Sequence, residues 1–236
     1  MERATIIEVL EHTWPATTRV QAGSFVFRQS DGGGKRVSAT SVTGPVDASQ
    51  IAEAEARMVA MGQDKLFTLD PTDKIDPILA ELGYQALDET RLYHCAIEVL
   101  TAQEVPSVTA FPVWPPLQLA NDIWTEAGIG ADRMAVMERV KGPKTAILGR
   151  VNDRAGGVVF AAVHKECGMI HALEVLPFQR RNGLATSLTL AAAHWAAAQG
   201  ATQFALPAVA ANDAAHALYT SLGMRAVASY HYRIKP

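Results

Sequence analysis

The chemically most distinctive stretch of this sequence is a short basic loop that carries Arg180, Arg181 and Gly183. It joins an apolar, strand-like run at 173–176 to an alanine-rich, helix-favouring run at 184–199. The first turn of a helix leaves backbone N–H groups without partners and carries the partial positive charge of the helix dipole. Glycine allows a backbone conformation that other residues avoid, and the two arginines add charged, forked donors for phosphate oxygens. The loop therefore predicts a diphosphate site at a helix N-terminus.

The composition of the loop also narrows the class of ligand. A dinucleotide-binding turn requires three spaced glycines and an acidic residue about twenty positions further on. A nucleoside triphosphate loop requires a lysine after its second glycine. Neither pattern is present, and a loop with one glycine and two arginines suits coenzyme A better than either nucleotide.

A second motif lies downstream, at residues 212–224. Asn212 or Asp213 is a good helix N-cap, and Gly223 stands where a left-handed residue would end the helix. One face of this helix is apolar at intervals of three to four residues, which predicts burial. The residues of that face are Ala215, Leu218, Tyr219 and Leu222.

The two motifs together resemble the paired signatures of the GNAT superfamily of N-acetyltransferases. The first is Arg180-x-x-Gly183-x-Ala185, and the second runs from Asn212 through Tyr219 to Gly223. The resemblance covers residues from about 116 to 236. It implies an α/β (α+β) fold with a mixed central sheet flanked by helices and acetyl-CoA as the acyl donor.

The resemblance also implies roles for individual residues. The strand before the loop carries a bulge in this family, and its backbone pairs with the pantetheine arm of the cofactor. Tyr219 would protonate the departing thiolate; the alternative is a core aromatic residue. Glu174 would be the general base; the alternative is a carboxylate paired with Arg180 or Arg181. The expected cofactor-binding residues are Leu173, Val175, Arg180, Arg181, Asn182, Gly183, Leu184, Ala185, Thr186 and Asn212.

The order of the intervening elements agrees with this family. Strands are predicted at 144–151, 157–164, 169–176, 204–209 and 230–234, with helices at 184–199 and 212–222. Pro207 would normally argue against a central strand. In GNAT proteins this strand diverges from its neighbour to admit the pantetheine arm, so a missing N–H donor costs little there.

The N-terminal half has the pattern of a degenerate first copy of the same unit. A helix near 47–61 and a strand at 65–69 precede the segment 78–84, which matches 218–224 and places Leu79 at the position of Tyr219. An unrelated α+β module is the alternative. The expected organisation is an N-terminal domain at 1–103, a proline-rich linker at 104–116 and a catalytic domain at 117–236.

Composition excludes several classes of function. The chain has 236 residues, of which 49% are hydrophobic and 19% charged, with a net charge of −3. No basic surface predicts binding to nucleic acid or to an anionic membrane, and the first residues do not resemble a signal peptide. The expectation is a cytoplasmic monomer or homodimer without nucleic-acid or membrane partners.

Histidine and cysteine spacing predicts no metal site. Cys95 and Cys167 lie far apart in the sequence. His164 and His171 could face each other across a strand pair, but no third ligand is evident, and strand histidines are more often simply polar residues.

The expected function is therefore acetyl-CoA-dependent transfer of an acetyl group to an amine, directly within a ternary complex. One alternative is a non-catalytic CoA-binding sensor or scaffold on the same fold. Another is a different acyl donor or an oxygen acceptor. The sequence leaves the amine acceptor unidentified.

Overall fold

The computed structural model describes all residues from 1 to 236. Its helices are α1 (Arg3–Thr13), α2 (Ala48–Ala60), α3 (Ile75–Glu81), α4 (Glu98–Thr101), α5 (Gln118–Glu126), α6 (Ala131–Arg139), α7 (Leu184–Ala198) and α8 (Asp213–Ser221). Its strands are β1 (Thr18–Ala22), β2 (Phe25–Gln29), β3 (Thr40–Val42), β4 (Lys65–Leu69), β5 (Gln85–Ala96), β6 (Ala110–Val113), β7 (Lys144–Val151), β8 (Arg154–His164), β9 (Cys167–Val175), β10 (Gln203–Val209) and β11 (Arg225–Lys235). None of the helices is both long and apolar enough to cross a membrane.

The chain divides into two compact units. The first unit comprises 1–15, 92–208 and 212–227, and the second comprises 16–91, 209–211 and 228–236. The units differ from the sequential domains expected at 1–103 and 117–236, because α1 belongs to the first unit and the end of β11 to the second. Part of the expected linker at 104–116 forms β6, which pairs antiparallel with β7.

The first unit is built on a mixed sheet with the strand order β5, β10, β9, β8, β7, β6. Strands β6 to β9 pair antiparallel, whereas β10 runs parallel to β9. Helix α7 packs on one face, where glycines in the strands make room for it. A Cβ atom on Gly157 would come within 2.9 Å of Leu184, and one on Gly168 within 2.6 Å of the Cβ of Ala196.

The opposite face of this sheet is covered by other helices. Side chains alternate between the faces of a strand, so Val159 and Ala161 join the core cluster with α7. Phe160 points the other way, with its ring centroid 6.2 Å from that of Trp14 at the end of α1. The sheet is therefore flanked by helices on both faces, which confirms the expected arrangement.

The second unit also contains a mixed sheet, with the order β1, β2, β3, β4, β11. Strand β3 runs parallel to β4, and the other pairs are antiparallel. Helix α2 begins at a capping box formed by Asp47 and Gln50, and its buried face packs with Phe67 and Leu79.

Helices α3 and α8 end in the same way. Gly83 and Gly223 both take positive φ, at +86° and +85°. The residue after each glycine donates its N–H back to the helix, from Tyr84 to the Leu79 carbonyl and from Met224 to the Tyr219 carbonyl, each at 3.0 Å. Leu79 and Tyr219 thus occupy equivalent positions in the two helix ends, as the repeat interpretation expects.

Candidate active site

The basic loop leads into α7 through a left-handed turn. Arg181 and Gly183 both have positive φ, at +65° and +77°, and Gly183 is the N-cap residue of α7. No side chain caps this helix, while Ser187 N–H already donates to the Gly183 carbonyl. The first-turn N–H groups of Leu184, Ala185 and Thr186 have no intrahelical acceptor. Arg180, Arg181 and Asn182 are exposed around this turn.

The buried residue Gln179, which the sequence analysis did not identify, anchors the start of the basic loop. Gln179 is buried, and its Nε2 donates to the carbonyls of Val151 and Arg154, both at 3.0 Å. Gly156 makes room for this side chain, because a Cβ there would lie 2.5 Å from Gln179 Cγ. These hydrogen bonds attach the start of the basic loop to the β7–β8 turn.

Strand β9 carries a bulge just before the loop. Val158 pairs with Glu174 and Phe160 with His171, so β9 has one more residue than β8 in this interval. Ala172 has a φ of +50°, and its carbonyl accepts a 2.8 Å hydrogen bond from Nε1 of the fully buried Trp124. The bulge implied by the family resemblance is thus present, and a tryptophan on α5 anchors it.

Strands β9 and β10 part beyond the bulge. Their parallel pairing covers Cys167 to Met169 against Gln203 to Ala205 and ends there. Leu173 and Val175 lie on the diverging part of β9, and Pro207 lies on the diverging part of β10. Pro207 therefore removes no hydrogen bond from the pairing of β10 with β9, which ends at Ala205.

Tyr219 lies on α8 in an aromatic cluster of the first unit. Its side chain is buried, and its ring centroid is 5.7 Å from that of Tyr93 on β5. The Tyr93 hydroxyl lies 2.9 Å from Nδ1 of His216, one turn before Tyr219. Burial raises the pKa of the Tyr219 hydroxyl to about 12, and the negative charge of Glu174 adds to the shift.

Glu174 follows the bulge on β9. Burial raises the pKa of its carboxyl above the ordinary value, while the charges of Arg180 and Arg133 oppose the shift. Arg180 donates from Nε to the Val175 carbonyl at 3.0 Å. The arginine thus acts on Glu174 through its charge while it binds the strand backbone.

The structure gives Asn212 a defined local role. Its side-chain oxygen accepts a 3.0 Å hydrogen bond from the Ala215 N–H, which caps α8. This capping starts the helix that carries Tyr219. It engages the oxygen that would otherwise be available to a ligand.

The histidine expectation was wrong in its pairing. His171 lies opposite Phe160, and His164 lies opposite Cys167, because the β8–β9 turn is shorter than a face-to-face arrangement requires. His171 is buried, with Nε2 2.9 Å from the Thr13 hydroxyl on α1. Sequence reasoning missed three supporting residues. Trp124 and Tyr93 lie far from the motifs in sequence, whereas Gln179 directly precedes Arg180 but its residue type does not indicate burial.

Comparison with known proteins agrees with this geometry. Residues 147–234 match the family model of the FR47-like protein. A curated relative, an aminoglycoside N(6')-acetyltransferase type 1 from Acinetobacter haemolyticus, is 29% identical over 120 residues, which are 46% of this chain and 81% of the relative.

Solved structures extend the similarity to the whole chain. A GCN5-related N-acetyltransferase from Kribbella flavida superposes with a TM-score of 0.77 at 21% identity, covering 100% of this chain and 96% of that one. A tandem GNAT protein from the clavulanic acid biosynthesis pathway superposes with a TM-score of 0.58 at 12% identity, covering 94% and 84%. Residues 147–234 thus match an FR47-like family model, and the whole chain has the fold of GCN5-related N-acetyltransferases, as the resemblance of its two motifs to the GNAT superfamily implies.

Proposed function

We propose that the chain transfers the acetyl group of acetyl-CoA to a primary amine of a small molecule or peptide, directly within a ternary complex. The observation that carries the proposal is the divergence of β9 from β10 next to the uncapped start of α7. A gap between strands and a helix N-terminus are the two features that an acyl-CoA requires, one for its amide-bearing arm and one for its diphosphate.

The diphosphate would bind at the first turn of α7. The N–H groups of Leu184, Ala185 and Thr186 and the helix dipole favour an anion there. The exposed Arg181 and Asn182 supply further donors from the loop. The pantetheine arm would extend along Leu173 and Val175. The pairing of β9 with β10 ends at Met169, so the backbone groups of these two residues have no partner in β10.

The reaction would proceed by attack of the neutral amine nitrogen on the thioester carbonyl carbon. A C–N bond forms, the C–S bond breaks, and the thiolate leaves with a proton from the Tyr219 hydroxyl. Glu174 would accept the proton that the acceptor ammonium loses before attack, and the second proton, lost from nitrogen after attack, would restore the Tyr219 hydroxyl. A base whose pKa is raised toward the working pH is better suited to this step than an ordinary carboxylate, and burial raises that of Glu174.

Charge and one relative support a proposal for the acceptor class. An amine arrives as an ammonium ion, and the half-buried Glu174 offers it a negative charge. The curated relative acts on aminoglycosides by its name. Polyamine-like and aminosugar acceptors are therefore the first compounds to test.

Binding of the cofactor is tested by thermal stability. Saturation at about a hundred times the dissociation constant should contribute roughly 2.7 kcal/mol, whereas NAD, ATP and acetate should have no effect. Gly183→Asp should abolish the stabilisation by placing a negative side chain at the diphosphate site. Gly200→Asp is the matched control, because Gly200 also has positive φ and open surroundings but lies past the other end of α7.

Turnover is tested separately with a panel of amines, amino acids and aminoglycosides, by release of the CoA thiol. Release that depends on one acceptor class supports the transferase. Stabilisation by acetyl-CoA with no release on any acceptor would instead favour the CoA-binding sensor. An unchanged melting temperature up to millimolar acetyl-CoA would contradict both.

A further inference from the structure

A cluster of potential metal ligands lies in the first unit and contains none of the residues assigned above. Glu8 and His12 are one turn apart on α1, and His164 is the last residue of β8. One ligand atom from each of the three lies within 4.8 Å of the others. The two imidazole rings are stacked, with centroids 3.9 Å apart and planes 12° from parallel.

The hydrogen bonds of this cluster leave nitrogen atoms available. His12 Nδ1 lies 2.9 Å from the Glu8 backbone carbonyl. A carbonyl only accepts, so Nδ1 carries the proton and Nε2 keeps its lone pair, as is usual for a metal-ligating histidine. His164 Nε2 is buried and makes no hydrogen bond, and it lies 3.5 Å from Glu8 Oε1, beyond the usual hydrogen-bond length.

We propose that Glu8, His12 and His164 form a binding site for a divalent metal ion of the zinc type. Two imidazoles and one carboxylate are the donor set that Zn²⁺ accepts, with a water molecule as the fourth ligand. Ligand atoms about 2.0–2.2 Å from a tetrahedral ion lie roughly 3.4 Å apart, close to the separation of His164 Nε2 and Glu8 Oε1. The two stacked rings must also turn apart before His12 Nε2 can point at the same ion, and the exposed side chain of His12 is free to turn.

Lys165 competes with the metal for Glu8. Its ammonium lies 2.8 and 3.0 Å from the two carboxylate oxygens, and its side chain is 63% exposed. The lysine can therefore move into solvent when a cation of higher charge binds. Since α1 and the end of β8 each supply a ligand, the bound ion would fasten this helix to the sheet.

Helix α1 also connects the proposed metal site to buried residues of the first unit. The same helix ends with Thr13, whose hydroxyl contacts His171 on β9, one residue before the bulge at Ala172. A metal bound by His12, the residue before Thr13, would hold that contact more rigidly. The site itself does not depend on the acetyltransferase proposal.

The test is titration of untagged, chelator-treated protein with Zn²⁺ by calorimetry, with Co²⁺ absorption as a report of tetrahedral coordination. We expect one equivalent to bind and to raise the melting temperature. His12→Gln and His164→Gln should each weaken Zn²⁺ binding about tenfold or more. Removing a residue that only orients a metal ligand already costs about that much, and removing the ligand itself costs at least as much. Lys165→Gln should strengthen it.

The matched control is His194→Gln, which removes an exposed histidine of α7 that contacts the Gln103 carbonyl. It should bind Zn²⁺ like the wild type. Circular dichroism checks that each variant is folded, and Glu8→Gln replaces His164→Gln if that variant is not. Sub-stoichiometric binding by the wild type, or wild-type affinity in folded ligand variants, would overturn the proposal.

Discussion

Tyr219, which we propose as the proton donor, is buried. Its pKa of about 12 keeps the hydroxyl protonated over the whole assay range, but it makes the group a weaker acid than a thiol of pKa about 8.5. A full transfer that left a tyrosinate would cost roughly 5 kcal/mol at 1.36 kcal/mol per unit. Donation must therefore accompany the breaking of the C–S bond rather than follow it.

Replacing Tyr219 by phenylalanine separates the catalytic role from packing. We expect turnover to fall about 10²- to 10⁴-fold, with acetyl-CoA affinity nearly unchanged because the ring and its contact with Tyr93 persist. Steady-state kinetics and calorimetry measure the two quantities. Unchanged turnover with a lower melting temperature would return Tyr219 to a purely structural role.

Glu174 should control the acidic side of the pH profile. Its pKa is raised by burial, so the base is lost by protonation at a pH above the ordinary carboxyl value of 4.5. Turnover at saturating acceptor should fall as the pH drops through this raised pKa, and Glu174→Gln should lower turnover and remove that limb. If the variant keeps both rate and limb, a water relay elsewhere is the base.

At the scale of elements, the closeness of α7 to the sheet is the feature that positions the loop. Gly168→Ala would place a Cβ 2.6 Å from the Cβ of Ala196 and 3.1 Å from the Phe204 ring. Neither atom is the free end of a flexible chain, so overpacking should lower the free energy of unfolding by about 1–3 kcal/mol. Denaturant titration measures this.

Gly130→Ala is the control, because its Cβ would meet only the Asp132 carboxylate at 3.4 Å and its φ of −85° suits any residue. It should change stability by much less. Equal stability of both variants would show that α7 moves away from β9 without cost.

The elements predicted from sequence are those in which local pattern and motif agree. Strand β7 and helices α7 and α8 lie within a residue or two of their expected ends, since apolar periodicity and glycine termini mark them. Strand β6 was hidden by prolines, and β1 has mostly exposed side chains with no alternating pattern. The bulge at Ala172 could not be read from residue type, because an alanine rarely adopts positive φ and does so here under the constraint of Trp124.

At the scale of the whole molecule, the two units share a helix ending but not a ligand site. Unit two has Leu79 where unit one has Tyr219. Its helix α2, the counterpart of α7, is capped by the Asp47 side chain and follows no loop with the Arg-x-x-Gly-x-Ala pattern. We expect one acetyl-CoA per chain. Hydrogen exchange should slow in residues 173–186 on binding and stay unchanged in α2, α3 and β4.

Two bound equivalents, or protection spread over α2 and β4, would contradict this assignment. Gly183→Asp provides the reference, since it should remove the protection in residues 173–186 without altering exchange in the second unit.

Clusters such as Glu8, His12 and His164 also belong to the scale of the whole molecule. His164 is more than 150 positions from Glu8 and His12, so no local pattern could have joined the three.

The gap between β9 and β10 has a consequence for how this protein tolerates mutation. Groups that a ligand would meet along Leu173 and Val175 belong to the peptide backbone, which every residue type except proline provides. Side-chain substitutions at these positions would leave recognition intact, whereas a proline, or the loss of Trp124 beneath the bulge, would remove it. A saturation screen for acetyl-CoA binding should therefore find that Leu173 and Val175 tolerate most substitutions, whereas Trp124 tolerates few. Positions that touch the cofactor can then vary among related proteins.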